Sequence, residues 1–331
     1  LYTIFQSARA VMSFLVRLYL VFVREESITA LITGLLVVDC LTLILLILWN
    51  PIRLSIRFEM PFENMKELLS YGMAGLIMNL SILSLSLSDR YVILFNEGLS
   101  RVGVYDQVYK ISQLSIIALV TVFFNTINPS LFRELETDFK SSVKNMSRYL
   151  LVYLSLGLPI VVYLSLFSEE ISHVLLGSDF RGANSIMPFI FFAAFFQGAS
   201  NFWELRMKFS NRMRWLSLNF LGGAVFNLLL NLWGVPLYGF EWAATSTLIT
   251  YVLLLIFLNV KDSNLIHALY GLRQDLRVPM AVLILQLLIF AIVDKYDTSM
   301  SVRMGIGVIF VLSYGWVLKR SNISQIIHEI K

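Results

Sequence analysis

Long apolar runs alternate with short polar segments along the whole chain. The apolar runs lie at 10–23, 28–49, 68–87, 102–127, 149–167, 183–202, 215–235, 242–260, 278–293 and 305–318. A helix needs about 20 apolar residues to cross a hydrocarbon core that is about 30 Å thick, and most of these runs reach that length. The pattern therefore predicts an all-α integral membrane protein with about ten transmembrane helices.

The composition agrees with this interpretation. Hydrophobic residues make up 57% of the chain and charged residues 15%, with a mean hydropathy of +0.74, which lies outside the balance of soluble globular proteins. The runs leave little of the 331 residues for a soluble catalytic domain. We therefore expect the function to lie within or across a membrane.

The positive charges predict how the chain is oriented. Most of the 26 Lys and Arg residues fall in every second polar segment, including 50–67, 128–148 and 261–277. Basic loops stay in the cytoplasm, so both ends of this segment are expected there. These three loops are either short helices at the membrane interface or solvated linkers. Anionic lipid headgroups explain the basic excess, and no nucleic-acid partner is expected because no basic, aromatic-rich patch is present.

The sequence contains no recognisable enzyme motif. His173, His267 and His328 are far apart and do not have the spacing of metal ligands. No glycine-rich phosphate loop is present, and no Ser–His arrangement can be argued from spacing. The single cysteine, Cys40, cannot form an intramolecular disulfide. We therefore expect a protein that is not an enzyme and that has no bound cofactor or metal.

Ionisable residues cluster at the third and fourth apolar runs. Asp89 and Arg90 end the third run, Arg101 precedes the fourth, and Asp106 and Lys110 lie within it. Charged groups are costly in hydrocarbon, so each one is a functional candidate. Asp106 and Lys110 are four residues apart and share a helix face, which favours an ion pair.

Two interpretations of this polar face remain open. The Asp–Lys pair either locks two helices in a buried network or lines a cationic cavity that receives an anionic headgroup. Arg and Lys are the donors that phosphate prefers, whereas sugars use amides and aromatic rings. The second interpretation predicts substrate contacts at Arg90, Arg101, Lys110, Tyr105, Tyr109, Gln113 and Asn79.

Three carboxylates are candidates for coupling to an ion gradient, namely Asp39, Asp89 and Asp106. Asp39 lies beside Cys40 in the otherwise apolar second run. Its carboxyl group is either a proton or cation site, or a group that desolvation keeps neutral.

Several short motifs follow one another in a fixed order over most of residues 1–260. The stretch 88–94 (SDRYVIL) precedes 102–110 (VGVYDQVYK), and three more follow at 128–129 (NP), 180–183 (FRGA) and 227–245 (NLLLNLWGVPLYGFEWAAT), with a fainter one at 7–10 (SARA). This series resembles the polysaccharide-export flippases of the MOP superfamily, the Wzx-type O-antigen flippases. The chain departs from the family pattern at Glu241 and Trp242, where a second small residue is usual.

The resemblance implies a MATE-like fold with two six-helix lobes around a central cavity, often followed by two extra helices. Residues 1–49 would be the last two helices of a partial first lobe, and 68–260 the complete second lobe. The segment 278–318 would be the extra pair, and 319–331 a cytoplasmic tail. The same resemblance implies that about four further helices precede residue 1.

The resemblance also implies a function. A flippase of this family moves an undecaprenyl-diphosphate-linked oligosaccharide, such as an O-antigen unit, across the cytoplasmic (inner) membrane by alternating access. Its partners would be that substrate, membrane lipids and the polysaccharide polymerase machinery, with coupling to a proton or sodium gradient in place of a cofactor. The alternatives are a multidrug or cation antiporter of the same superfamily, a lipid II flippase, and a membrane glycan polymerase.

Overall fold

A computed structural model describes residues 2–20, 28–49, 62–139, 142–294, 300–321 and 323–324. The described residues are almost entirely helical and contain no strand. The helices are α1 (Tyr2–Leu18), α2 (Ile28–Trp49), α3 (Phe62–Glu97), α4 (Leu99–Ser112), α5 (Ala118–Thr137), α6 (Ser142–Leu166), α7 (Ser168–Leu175), α8 (Met187–Phe209), α9 (Met213–Tyr238), α10 (Phe240–Lys261), α11 (Asn264–Gly271), α12 (Arg273–Asp294) and α13 (Met300–Arg320). A π-helical turn, Gln113–Ile117, joins α4 to α5, and a 3₁₀ segment, Ser178–Ile186, precedes α8.

Eight helical segments are long and apolar enough to span a membrane. They are Met65–Glu97, Leu99–Thr137, Ser142–Leu166, Ser178–Phe209, Met213–Tyr238, Phe240–Lys261, Arg273–Val293 and Ser301–Arg320. They coincide with the last eight predicted runs, so the prediction of an all-α, multi-pass membrane protein is confirmed. The first two runs are not among these eight segments: α1 has 17 residues, and within α2, which has 22 residues, Ile32–Leu45 is a shorter apolar helix.

The chain divides into two compact units, Leu1–Met65 and Lys66–Lys331. In the first unit α1 packs against α2. Arg9 donates from Nε to Oδ1 of Asp39 over 2.6 Å, so an arginine partner accompanies this carboxylate. The assignment of 1–49, 68–260 and 278–318 to lobes stays a prediction, as does the cytoplasmic tail, most of which lies outside the described residues.

The core of the second unit is built around α8. This helix packs against α4, α5, α6 and α10, and its buried side chains include Phe191, Phe195, Phe202 and Trp203. Tyr153 of α6 stacks on Phe195 at 5.1 Å and donates its hydroxyl to the carbonyl of the same residue over 2.7 Å. The core is therefore held by aromatic packing together with hydrogen bonds that remain satisfied in an apolar medium.

The last two long helices attach to α6 through a smaller core. Buried Gln286 of α12 donates to the carbonyl of Phe310 over 3.1 Å and to the hydroxyl of Ser313 over 2.9 Å, and it accepts a hydrogen bond from Tyr163. Tyr314 of α13 donates to the carbonyl of Ser155 over 3.1 Å. These bonds fix the register of α6, α12 and α13, because an unpaired amide in hydrocarbon would be costly.

The close approach of α5, α6 and α8 requires a glycine at position 198. A Cβ atom there would overlap the Tyr153 hydroxyl and lie 2.7 Å from Cγ2 of Val120. We expect Gly198→Ala to lower the free energy of unfolding by about 1–3 kcal/mol through overpacking, measured by denaturation in mixed micelles. The control Gly222→Ala, where nothing lies within 4 Å, should leave it unchanged or raise it slightly. Equal stability of the two variants would contradict this account of the packing.

Candidate functional site

A polar strip runs along α3 and α4. The two helices fold back on each other at Gly98, whose φ of +85° is one that glycine adopts at no steric cost. Residues three or four positions apart share a helix face, so one stripe of polar side chains forms on each helix. We define the polar strip as Asn79, Ser86 and Arg90 of α3 with Asp106 and Lys110 of α4 and Gln113 of the π-helical turn that follows it.

An ion-pair network joins the two halves of the strip. Arg90 donates from Nε and Nη2 to Oδ1 of Asp106, over 3.0 and 2.8 Å, and from Nη1 to the carbonyl of Ser86. Lys110 Nζ lies 3.2 Å from Oδ2 of the same carboxylate. Two cations thus share one carboxylate, and the strip carries a net positive charge. The Lys110 side chain is 57% exposed and that of Arg90 18%, so Lys110 is the more accessible cation.

A buried network lies behind the strip and is organised by Asp89. Its carboxylate is fully buried and accepts hydrogen bonds from Tyr105 over 2.7 Å, Asn231 over 2.6 Å and Tyr109 over 3.4 Å. The hydroxyl of Thr247 lies 2.8 Å from its Oδ2 atom. A single side chain of α3 is therefore bonded to α4, α9 and α10.

Further amides and hydroxyls extend this network between α9 and α10. Asn231 also donates to Oδ1 of Asn227 over 3.1 Å and accepts from Ser246. Asn227 in turn lies 3.4 Å from the hydroxyl of Thr250. The carboxylate of Asp89 is thus surrounded by neutral hydroxyl and amide groups, which donate hydrogen bonds to it. In the part of the chain that the structure describes, no group of three or more His, Cys, Asp or Glu residues could hold a metal ion.

The structure brings together some of the predicted site residues and separates others. It joins Arg90 and Lys110 through Asp106, and the expected ion pair of Asp106 with Lys110 is present. Asn79 and Gln113 are exposed and belong to the strip by their helical spacing.

The predicted substrate contact at Tyr105 is not on the surface. Its side chain is fully buried and bonded to Asp89, because this face of α4 packs into the unit. Tyr109 lies between the polar strip and the buried network around Asp89, since its hydroxyl bonds to Asp89 and its ring lies 4.6 Å from the Arg90 guanidinium.

Arg101 and Asp39 lie away from the strip. Arg101 belongs to the first turn of α4, where it is 3.9 Å from Glu97 and lies over the ring of Phe240 at 5.3 Å. Asp39 belongs to the N-terminal unit, where it is bonded to Arg9. This arginine partner was part of neither predicted alternative for Asp39, a proton or cation site or a carboxyl group that desolvation keeps neutral.

Sequence reasoning did not identify Asn231 and Thr247 as partners of Asp89, or Asn227 as a partner of Asn231. The pattern that could have indicated the two asparagines is a pair of amides four residues apart in an apolar run, which places both on one helix face. The buried pair of Arg206 and Asp262, with 2.6 Å between Nε and Oδ2, was also not predicted.

The unusual tryptophan at position 242 has a local explanation. Its ring lies against Gly234, where any Cβ atom would overlap the indole, and its N–H donates to the carbonyl of Leu230 over 3.0 Å. Tyr238 stacks on the same ring at 5.1 Å. The absence of a side chain at Gly234 on α9 therefore leaves the space that Trp242 on α10 occupies.

Removing the carboxylate of the buried network should lower the free energy of unfolding more than removing the carboxylate of the polar strip. We expect Asp89→Ala to lower the free energy of unfolding by on the order of 3 kcal/mol, because it leaves the buried donors of Tyr105 and Asn231 unpaired. Asp106→Ala should cost about 1 kcal/mol, because its partners are partly solvated. Denaturation in mixed micelles would measure both, and a larger cost for Asp106→Ala would contradict the assignment of a buried layer.

Comparison with known proteins places the chain among membrane proteins of polysaccharide synthesis. A family model described as polysaccharide biosynthesis protein matches residues 2–185. No curated protein matches the chain.

Among solved structures, the chain is similar to one described as lipid II flippase MurJ in an inward closed conformation. The identity is 12% and the TM-score 0.59, over 94% of this chain and 66% of that one. The chain thus spans about two thirds of the length of that structure, and at this identity the similarity concerns the fold. The resemblance found in the sequence motifs is confirmed at the level of the family. The chain belongs to the family of polysaccharide biosynthesis proteins.

Proposed function

We propose that the protein moves a lipid-diphosphate-linked oligosaccharide across the cytoplasmic membrane by alternating access. The observation that carries this proposal is the polar strip, where Arg90 and Lys110 share the single carboxylate of Asp106 on membrane-spanning helices. The family description and the flippase named for the similar fold support the same function. The inner-membrane location and the cytoplasmic ends of the segment are part of the proposal.

The strip has the chemistry to receive a diphosphate. Lys110 is held by one contact to Asp106, and exposed ion pairs contribute only about 0–1 kcal/mol, so an incoming phosphate oxygen can replace that carboxylate. Arg90 is fixed by Ser86 and by Asp106, which orients its planar guanidinium. The amides of Asn79 and Gln113 lie farther from the turn at Gly98 than the ion pairs do, and both are exposed, so they can donate to sugar hydroxyls.

For the substrate we propose an O-antigen unit or a similar polysaccharide repeat unit, in keeping with the family description. Lipid II is a second candidate because the similar structure is described as a lipid II flippase, and its diphosphate offers the same chemistry. A cation antiporter fits less well, since a strip of net positive charge repels cations. The polymerase that would use the translocated unit is a proposed partner.

We propose Asp89 as the carboxylate that couples translocation to a proton or sodium gradient. Asp39 and Asp106 are each bonded to a basic side chain, whereas the side chains bonded to Asp89 are neutral. A cation can therefore join Asp89 without displacing an arginine or lysine. Asp89 also directly precedes Arg90 in α3. A cation that binds Asp89 and shifts its side chain would therefore move the backbone that carries Arg90.

Headgroup accessibility in proteoliposomes tests the strip. The full-length protein would be reconstituted with radiolabelled lipid-diphosphate oligosaccharide in one leaflet. We expect Lys110→Ala and Arg90→Ala each to slow translocation about tenfold or more, since tenfold corresponds to about 1.4 kcal/mol of lost interaction. The matched control is Lys208→Ala, which removes a lysine from another i,i+4 pair, with Glu204 at 3.4 Å.

Two results would contradict the proposal. If Lys110→Ala and Arg90→Ala both translocate the lipid at the wild-type rate, the ion pairs of the strip only hold the helices together and do not bind the substrate. If the protein translocates lipid II but not a polysaccharide unit, the proposed role of the strip stands, and the proposed substrate is wrong.

The coupling role of Asp89 is tested with the near-isosteric change Asp89→Asn. We expect imposed proton or sodium gradients to accelerate translocation by the wild type but not by Asp89→Asn, while slow downhill movement persists. Asp106→Asn, with the same change of charge outside the buried layer, should keep its response to the gradient. Gradient-driven acceleration that survives in Asp89→Asn would refute this role.

A further inference from the structure

A second candidate binding site lies between α6, α7 and α13. A cavity of about 570 Å³ is bounded here, mainly by apolar side chains. We call it the α13 cavity, and its lining includes Tyr163, Phe167, Ile171, Val308, Val311 and Leu312. It contains none of the residues of the polar strip.

Charged groups gather at one end of the α13 cavity. Glu170, which lines it, is only 5% exposed, and its Oε1 atom lies 2.8 Å from Nε of Arg303. The other oxygen, Oε2, is buried and has no hydrogen-bond partner among the described residues. Arg303 also lies 3.5 Å from Glu169 and over the ring of Phe290 at 5.4 Å. The two carboxylates and one guanidinium leave a net charge of −1.

The cavity is amphipathic along the axis of α13, which contains a candidate membrane span. The charged end lies where α6 ends at Leu166 and α13 begins at Met300, which is the boundary of both spans. From Met304 to Leu312 the lining follows α13 inward over about 12 Å, at 1.5 Å per residue. Charges thus lie at headgroup depth, and an apolar wall extends from them into the hydrocarbon.

We propose that the α13 cavity binds an aminophospholipid of the surrounding bilayer. The primary ammonium donates to Glu170, the phosphate lies against the guanidinium of Arg303, and one acyl chain follows α13. A primary ammonium brings both the N–H donors that a buried carboxylate oxygen needs and a positive charge beside the two carboxylates, while the phosphate of the same headgroup pairs with Arg303. A choline headgroup lacks those donors, and a headgroup without an amine adds negative charge. This proposal is independent of the translocated substrate.

Native mass spectrometry of the full-length protein tests the headgroup preference. Phosphatidylethanolamine, phosphatidylglycerol and phosphatidylcholine with identical acyl chains would be added to the protein in detergent. We expect phosphatidylethanolamine to bind about tenfold more tightly than the other two, and Glu170→Gln to abolish that preference. Glu241→Gln, which removes an exposed carboxylate on α10, should retain it. Equal binding of the three lipids by the wild type, or loss of preference in Glu241→Gln, would overturn the proposal.

A second pair of variants tests the acyl-chain path without changing a charge. Val308 lines the cavity and Ile309 does not, although both are exposed to a similar extent, 60% and 62%. Val308→Trp should lower phosphatidylethanolamine binding at least fivefold, whereas Ile309→Trp should leave it unchanged. Because both side chains point away from the protein core, both variants should fold. Unchanged binding in Val308→Trp would overturn the proposed location.

Discussion

The absence of water in the hydrocarbon core is the constraint on which this structure depends. Any polar group within a span must find its partners inside the protein. Asp89 meets this requirement through Tyr105, Asn231 and Thr247, which come from three other helices. Removing its carboxylate would leave several buried donors unpaired at once, so the network specifies how α3, α4, α9 and α10 fit together.

The proposed binding surface follows from that buried layer. Asp89 and Arg90 are neighbours on α3, and successive residues of a helix point about 100° apart, so fixing the first directs the second outward. Arg90 then meets Asp106, which in turn holds Lys110. The buried network around Asp89 provides a fixed interior, and the polar strip provides an accessible cationic face. This combination suits a protein that binds a diphosphate reversibly and changes conformation.

Local sequence patterns predicted the spans and the contacts within a helix, but not the contacts between distant helices. Hydropathy located eight spans, and four-residue spacing gave the pair of Asp106 with Lys110. The bonds from Asn231 and Thr247 to Asp89 join residues 142 and 158 positions apart, which no local spacing indicates. Tyr105 was expected at the substrate because a polar residue in a span indicates a wet face, whereas a buried carboxylate supplies an equally good reason for its position.

Photocrosslinking would test the central claim, that the strip contacts the substrate headgroup, most directly. A photoreactive phenylalanine analogue would replace either Gln113, which lies on the strip, or its neighbour Leu114, which is 82% exposed on another face of the helix. Each protein would be illuminated with lipid-diphosphate oligosaccharide labelled in the sugar. The account predicts labelled adducts at position 113 and not at 114. Labelling at 114 alone, in protein that still translocates the lipid, would contradict it.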